Sequence, residues 1–277
     1  MVLRWGTLQP QRDPYGYGTQ DATSSCDILE SVAEYCFDLG LLKTMKAGEI
    51  VFRARVHDKD TFASVKELGP PPVEFAKFAN RMSPAGVVMF YAAGDVQTAI
   101  VEAASGNKSK GIASVGEFGL LKDATILDLT DGFEVPSIFD HESRDNRVAA
   151  IFMKGFLSEF RRPIEKDGRE HVEYVPTQIM TEYFKYLFEK DGRRVFGIKY
   201  QSAQNNSGVS YVFFADQEYF VAGQLDTNTS LEKKFFSFNK SSVKTAPVNK
   251  NASGGISVGD IILLLAVGYG AKKLLFK

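Results

Sequence analysis

The segment from Glu49 to Val56 limits the possible folds most, because apolar residues and arginines alternate along it. In a β-strand, successive side chains point to opposite faces of the sheet. The apolar face of this predicted strand is formed by Ile50, Phe52, Ala54 and Val56. Arg53 and Arg55 share the opposite face, so a strand inside a packed sheet can present arginine to a cleft.

Strand-like and helix-like segments follow one another along the rest of the chain, and together they predict a mixed α/β fold. Further strands are predicted at 87–92, 124–129, 195–200 and 209–215. Helices are predicted from Ser24 or Ser25 to about Met45, at 96–105, at 147–160 and from Pro176 onwards. We therefore assign an N-terminal arm and helix to residues 1–48 and the main domain to residues 49–220.

The composition changes towards the C-terminal end of the chain. From Ser237 to Gly255 it is rich in Ser, Asn, Lys, Thr and Gly, which is typical of a linker, and we assign residues 221–255 to a linker region. Residues 256–277 are predicted to form a tethered apolar helix or tail. Its apolar run, Ile261–Val267, is far shorter than the ~20 residues of a membrane-spanning helix. This favours a helix that docks on the core or binds a partner, and leaves membrane association or an oligomer contact open.

The charge balance and the cysteines narrow the class of protein. The chain carries 33 Lys and Arg against 34 Asp and Glu, whereas nucleic-acid-binding domains are strongly basic, so we expect no nucleic-acid partner. Cys26 and Cys36 would lie about 15 Å apart on the predicted helix, too far for a disulfide, and we expect two buried thiols. The N-terminus shows no signal peptide, so the expected location is cytoplasmic, with membrane association through the tail left open.

Four short strings carry side chains suited to holding a dinucleotide: Phe52–Arg55, Asn80–Gly86, Phe90–Ala93 followed by Glu102, and Lys199–Ser202. Arginine forks match phosphate oxygens, an aromatic ring offers a face to nicotinamide, and a carboxylate can stabilise an oxocarbenium ion. Glu102 lies among small apolar residues of a predicted helix, where an unpaired buried carboxylate is costly, so we place it facing a polar cleft. Arg55 competes with Arg53 for the phosphate contact, since both share one strand face.

These strings, together with Val175–Gln178 and Gly208–Phe214, resemble the RES domain family from about residue 50 to about residue 215. The resemblance implies a RES-type fold, related to ADP-ribosyltransferases of the diphtheria-toxin kind, and NAD consumption by a toxin domain. Carried over position by position, the implied site consists of Arg53, Arg81, Tyr91, Glu102 and Ser202.

The resemblance also suggests a role for each of these side chains. Arg53 and Arg81 would hold the pyrophosphate or an incoming phosphate, and Tyr91 would stack on the nicotinamide. Glu102 would bind the ribose and stabilise positive charge at the anomeric carbon, while Ser202 would orient the nicotinamide amide or the ribose. Catalysis is thus expected to depend on Glu102, Arg53 and Ser202, and NAD binding on Arg53, Arg81, Tyr91 and Ser202.

The expected function is therefore cleavage of NAD at the nicotinamide–ribose bond, with water or inorganic phosphate as the acceptor. No cofactor beyond NAD as substrate is expected, and no metal, because His57, His141 and His171 lack the spacing of metal ligands. Two alternatives stay open: a mono-ADP-ribosyltransferase that modifies a protein or a small molecule, and a non-enzymatic interaction module that uses the C-terminal helix. Many relatives are paired with an antitoxin, so an antitoxin or regulatory protein is a candidate partner.

Overall fold

The computed structural model describes residues 25–58, 61–105, 111–130, 132–161, 170–205, 207–222 and 233–248. Within these ranges the chain forms the predicted mixed α/β domain, in which nine strands make one sheet. The strands are β1 (Leu42–Met45), β2 (Ile50–His57), β3 (Phe90–Ala93), β4 (Gly111–Leu120), β5 (Ala124–Asp128), β6 (Gly197–Gln201), β7 (Val209–Phe213), β8 (Phe220–Ala222) and β9 (Phe236–Val248). The helices are α1 (Ser25–Asp38), α2 (Val65–Leu68), α3 (Val96–Ser105), α4 (Arg144–Arg161), α5 (Glu170–Glu173) and α6 (Val175–Tyr186).

The order of strands across the sheet is β1-β5-β6-β7-β3-β2-β4-β9-β8. Neighbouring strands are antiparallel, except that β5 runs parallel to β6 and β8 runs parallel to β9. Two groups of strands can be distinguished, one from β1 to β3 and the other from β2 to β8 in this order. The junction of β2 with β3 therefore lies in the middle of the sheet, which is where the candidate site is found.

Helices cover one face of the sheet. Met153 of α4 and Met180 of α6 are buried against Ile198 of β6 and Val212 of β7. Helix α3 covers the same face farther along, where it packs against β2, β3 and β4. The opposite face carries an aromatic cluster, since Phe213 directly follows Val212 in the strand. Its largest buried members are Phe90, Phe118, Phe213, Phe236 and Phe238.

The alternation predicted for residues 49–56 is present in β2. Its apolar residues Phe52, Ala54 and Val56 pack in the same hydrophobic cluster as the buried residues of α3. Val51 packs into the aromatic cluster on the other face of the sheet. Because side chains alternate along a strand, Arg53 and Arg55 lie on the same face as Val51. Ile50 departs from the prediction, because it is half exposed at the start of the strand. The strand thus presents two arginines on one side while its apolar side anchors α3.

The first helix is shorter than predicted, because α1 ends at Asp38 and not near Met45. Gly40 has a φ of +64°, a left-handed conformation that favours glycine and turns the chain. The following residues form β1, which pairs with β5 and buries Met45. Cys36 is buried and its pKa is raised to about 12 by burial, but Cys26 is exposed, so the expectation of two buried thiols was wrong for Cys26.

The largest correction concerns the predicted linker at 221–255, because its residues 236–248 form the 13-residue strand β9. This strand pairs with β4 along most of its length, and it buries Phe236, Phe238, Ala246 and Val248. The period of two in β9 was hidden by its polar residues and by a register shift, at which residues 240–243 of β9 are left unpaired opposite Gly116 of β4. The residues 223–232 and 249–277, which include the predicted tail, lie outside the described ranges. Across the described ranges, every helix is too short or too polar to cross a membrane.

The position of β9 predicts where the chain can be shortened. A chain that ends at Asn239 loses the buried Ala246 and Val248 and should lose about 2–4 kcal/mol of unfolding free energy. A chain that ends at Val248 keeps the whole strand and should therefore be more stable than the chain that ends at Asn239 by this amount. Urea unfolding followed by circular dichroism compares the three chains, and equal stability of both truncated forms would contradict this account of β9.

Candidate functional site

A cleft opens where β2 and β3 diverge. These two strands share a single paired position, Phe52 with Ala93, whereas β2 stays paired with β4 from Ile50 to His57. The cleft has a volume of about 600 Å³, within the range of small-molecule sites. It is lined by residues of both strands, of α3, of the loop at 71–88 and of the segment after β6. Four of the five predicted site residues line it: Arg53, Arg81, Tyr91 and Glu102.

Arg53 lies partly buried in the wall of this cleft. Its Nη1 donates a hydrogen bond to the backbone oxygen of Tyr91 at 2.8 Å, and its guanidinium carbon lies 5.4 Å from the centre of the Phe90 ring. Burial, and then the nearby charge of Arg55, lower the pKa of Arg53 to about 9, so the group is charged at neutral pH. In the described part of the chain, no carboxylate lies within ion-pair distance of it. An anionic ligand would therefore offset a real desolvation cost.

Arg55, the competing candidate, takes a different position. Its Nη2 donates to the backbone oxygen of Gly69 at 2.9 Å, and the residue does not line the cleft. Burial lowers its pKa as well. The geometry therefore separates two arginines that the strand pattern could not distinguish, and it favours Arg53 as the contact for an anion.

The loop that carries Arg81 is held in place by the start of α6. Thr177 Oγ1 donates to the backbone oxygen of Arg81 at 2.5 Å. Gln178 Nε2 donates to the backbone oxygens of Asn80 at 2.8 Å and Ser83 at 3.3 Å. This explains why the string Val175–Gln178 accompanies the arginine string: its polar residues fix a loop almost a hundred positions earlier in sequence.

Three tyrosines line the cleft, and one of them was predicted. The hydroxyl of Tyr91 lies 2.8 Å from Ser83 Oγ, and burial raises its pKa to about 12, so it remains a neutral phenol. Tyr200 is close to Tyr91 and Glu102, and burial followed by these two neighbours raises its pKa further. Tyr174 also lines the cleft. Sequence reasoning quoted Tyr200 only as part of a string and gave Tyr174 no role, because the contacts of both depend on the tertiary fold.

Glu102 of α3 is oriented by two serines from the other half of the sheet. Ser202 Oγ donates to Glu102 Oε1 at 2.5 Å, and Ser210 Oγ donates to the same oxygen at 3.4 Å. Ser202 is buried and does not line the cleft, whereas Glu102 does. The structure thus brings Ser202 to Glu102 but not to the cleft surface, and we treat it as a positioning residue in place of the predicted contact with nicotinamide or ribose.

The turn between Ser202 and Gly208 packs tightly against the start of α3. Ser202 Oγ accepts hydrogen bonds from the backbone nitrogens of Gln204 and Asn205 at 3.2 and 3.1 Å. Asn205 Nδ2 donates to Thr98 Oγ1 at 2.8 Å. Gly208 lies so close to Thr98 that a Cβ would come within 2.0 Å of its Oγ1. The string that begins with Gly208 therefore sets the distance between this turn and the helix of Glu102.

This close approach predicts a destabilising substitution. Gly208→Ala should lower the free energy of unfolding by about 1–3 kcal/mol, because the turn must move away from Thr98 to accommodate the methyl group. Gly132→Ala is the matched control, since a Cβ there meets no atom within 4 Å. Urea unfolding of both variants tests this, and a Gly208→Ala protein as stable as the control would show that the turn is not tightly packed.

The chemistry available in the cleft follows from the side chains that line it. Among the described residues, no group of three or more His, Cys, Asp or Glu side chains could hold a metal ion. The charged and phenolic groups that line the cleft are two guanidiniums, three phenols and one oriented carboxylate, beside amide and hydroxyl side chains.

Comparison with known proteins identifies the family of the chain. The family model described as the RES domain matches residues 50–228, a range that contains all five predicted site residues. None of the curated proteins compared with the chain matches it. The match spans well over half of the chain and includes the strands, helices and strings that build the cleft, and so the chain belongs to the RES domain family.

Proposed function

We propose that this protein cleaves NAD at the nicotinamide–ribose bond and acts as an NAD-degrading enzyme of the toxin type. Family membership is compatible with an NAD-related toxin-type domain. The observation that carries the proposal is the combination of Arg53, a partly buried cation without a carboxylate partner among the described residues, with Glu102, an oriented carboxylate, in one cleft. A dinucleotide needs both groups, since it has an anionic centre and a bond that breaks with development of positive charge.

The binding step follows from the charges. Arg53 and Arg81 would hold the pyrophosphate, since a guanidinium fork matches phosphate oxygens in geometry and in charge. Tyr91 would lie against the nicotinamide, and its raised pKa means that it does so as a neutral ring at every physiological pH. Because the loop of Arg81 is fixed by Thr177 and Gln178, little ordering is needed when the ligand binds.

The chemical step breaks the bond between the anomeric carbon and the pyridinium nitrogen. Its electron pair passes to the ring nitrogen, which leaves as neutral nicotinamide, and positive charge develops on the ribose. Glu102 would hold a ribose hydroxyl and stabilise that charge, as carboxylates do in glycoside cleavage. Ser202 and Ser210 contribute by fixing the carboxylate in one orientation before the substrate arrives. Water then adds to the anomeric carbon through its oxygen and loses a proton to solvent, or inorganic phosphate adds through one of its anionic oxygens.

Product identification tests the proposal. The purified protein is incubated with NAD, with and without inorganic phosphate. The products are then separated by chromatography and identified by their masses. Nicotinamide with ADP-ribose indicates hydrolysis, nicotinamide with a phosphorylated ADP-ribose indicates phosphorolysis, and a mass increase on added protein indicates ADP-ribosyl transfer. Intact NAD under all conditions would contradict the proposal and leave the non-enzymatic interaction module.

The predicted tail at 256–277 lies outside the described ranges, so its docking on the core, or its contact with a membrane, a second copy or a regulatory protein, stays a prediction. An antitoxin partner and a cytoplasmic location stay predictions as well. The chains ending at Val248 and at residue 277 provide the comparison. NAD cleavage, sedimentation and partition into lipid vesicles would be measured for each, and a difference confined to sedimentation or lipid partition would assign the tail a role separate from catalysis.

A further inference from the structure

The mouth of the cleft carries two unusually exposed aromatic side chains. Phe75 is 67% exposed and Phe78 is 83% exposed, and both line the cleft. A single exposed aromatic residue is ordinary, whereas exposed apolar residues that share the border of a groove are a mark of ligand-binding sites. At this position the rings border the volume that a ligand would occupy, and the mechanism proposed above gives them no role.

The backbone that carries these rings is held at both ends. Gly69 accepts a hydrogen bond from Arg55 at 2.9 Å, and Pro70 accepts one from Gln217 Nε2 at 3.1 Å. Farther along, the backbone nitrogen of Gly86 donates to the oxygen of Ala76 at 2.7 Å. Prolines at 70–72 stiffen the segment further. The rings are therefore exposed on a fixed support, which is the arrangement that lowers the entropic cost of binding a flat group.

The position of the rings relative to the charges identifies the group. Phe78 stands three residues before Arg81 in the same loop, and both line the cleft. Glu102 lines the same cleft from a different element, α3. NAD has two flat groups, one on each side of its pyrophosphate. If nicotinamide lies with Glu102 and Tyr91, and the pyrophosphate with the arginines, the second flat group reaches the rim.

We infer that Phe75 and Phe78 form a subsite for the adenine ring, and that the rim gives the cleft its preference for a dinucleotide over a mononucleotide. This inference rests on the proposed function for the orientation of the ligand. Arg55 contributes by its hydrogen bond to Gly69, which fixes the start of the segment that carries Phe75 and Phe78. This gives a role to a partly buried arginine that does not line the cleft. Stacking of a base on an aromatic ring is strong enough to affect affinity by roughly ten-fold.

Calorimetric titration with two probes tests the adenine subsite directly. ADP carries adenine and a diphosphate, and inorganic pyrophosphate carries the charge alone. Phe78→Ala should weaken ADP binding roughly ten-fold and leave pyrophosphate binding unchanged, while Phe78→Trp should keep the affinity for ADP. Phe139→Ala is the matched control, since Phe139 is 86% exposed and does not line the cleft. Equal ADP affinity in the wild type and Phe78→Ala, or an equal loss of pyrophosphate binding, would overturn the inference.

Turnover distinguishes failure of this inference from failure of the proposed function. With NAD, Phe78→Ala should raise KM roughly ten-fold at unchanged kcat, whereas with nicotinamide mononucleotide, which lacks the adenylate, both constants should match the wild type. Failure of the wild type to cleave either compound would contradict the proposed function alone, because the ADP titration would still test the subsite. Equal effects of Phe78→Ala on both compounds would show that the rim does not bind adenine.

Discussion

Replacing Glu102 with glutamine should lower the rate of NAD cleavage at least a hundredfold, which corresponds to about 3 kcal/mol of transition-state stabilisation. Glutamine keeps the shape of the side chain and an oxygen that can accept the hydrogen bond from Ser202, so folding should be nearly unchanged. It removes the negative charge that faces the developing positive charge on the ribose. The loss should therefore fall on kcat, with NAD affinity altered little.

Two further variants serve as the control and the comparison for Glu102→Gln. Glu142→Gln is the matched control, because Glu142 is exposed and does not line the cleft. Ser202→Ala should give a smaller loss of kcat than Glu102→Gln, since the carboxylate stays but loses the bond that orients it. Steady-state release of nicotinamide measures all three. A wild-type rate in Glu102→Gln would remove Glu102 from the mechanism, whatever the other two variants show.

The second large effect concerns Arg53, whose replacement should change binding and stability in opposite directions. Arg53→Met should weaken NAD binding by about 1.5–3 kcal/mol, because a charge-assisted contact with the pyrophosphate is lost. The same variant should raise the free energy of unfolding by about 1 kcal/mol. The wild type desolvates this cation without a carboxylate partner in the described part of the chain, and we expect that cost to exceed the value of its bond to Tyr91 and its contact with the Phe90 ring.

Variants of Arg53, Arg81 and Arg55 test whether the loss of NAD affinity comes from the phosphate contact of Arg53. Arg53→Lys should recover only part of the affinity, since a lysine has no planar fork. Arg81→Ala should weaken NAD binding by a similar 1.5–3 kcal/mol. Arg55→Met should leave pyrophosphate binding unchanged, because Arg55 contacts Gly69 and not the cleft. Calorimetry and urea unfolding give both quantities for each protein, and a loss of stability in Arg53→Met would contradict the account of a cation that lacks a carboxylate partner.

Local patterns were sufficient to predict the elements that place Arg53 and Glu102. The alternation in β2 follows from one apolar face of a strand, and the period of α3 follows from its contact with β2, β3 and β4. The mixed α/β fold could be predicted for the same reason. The prediction of a linker was wrong because β9 buries apolar residues only near its two ends and carries Ser, Lys and Asn between them. The composition then suggested a linker, because four unpaired residues of β9, at 240–243, interrupt the period of two that a strand would show.

The candidate site was predictable by residue type but not by contact. Single strands cannot show that Arg53 reaches the cleft while Arg55 turns to Gly69, since both share one face. The position of Ser202 behind Glu102 depends on a turn that packs against α3 from the other half of the sheet. Tyr200 was missed for the same reason, because its environment consists of side chains distant in sequence. Long-range packing, which no local pattern encodes, decided each of these points.

The hydrogen bonds to Glu102 determine how much of the chain must be synthesised before the candidate site is complete. Glu102 leaves the ribosome early, but Ser202 and Ser210, which orient it, follow about a hundred residues later. Contacts this distant in sequence form late in folding, after the loop between them has closed. A nascent chain that has reached only α4 already contains both cleft arginines but lacks an oriented carboxylate. The carboxylate of the candidate site is thus oriented only after β6 and β7 have emerged, when most of the domain has been synthesised.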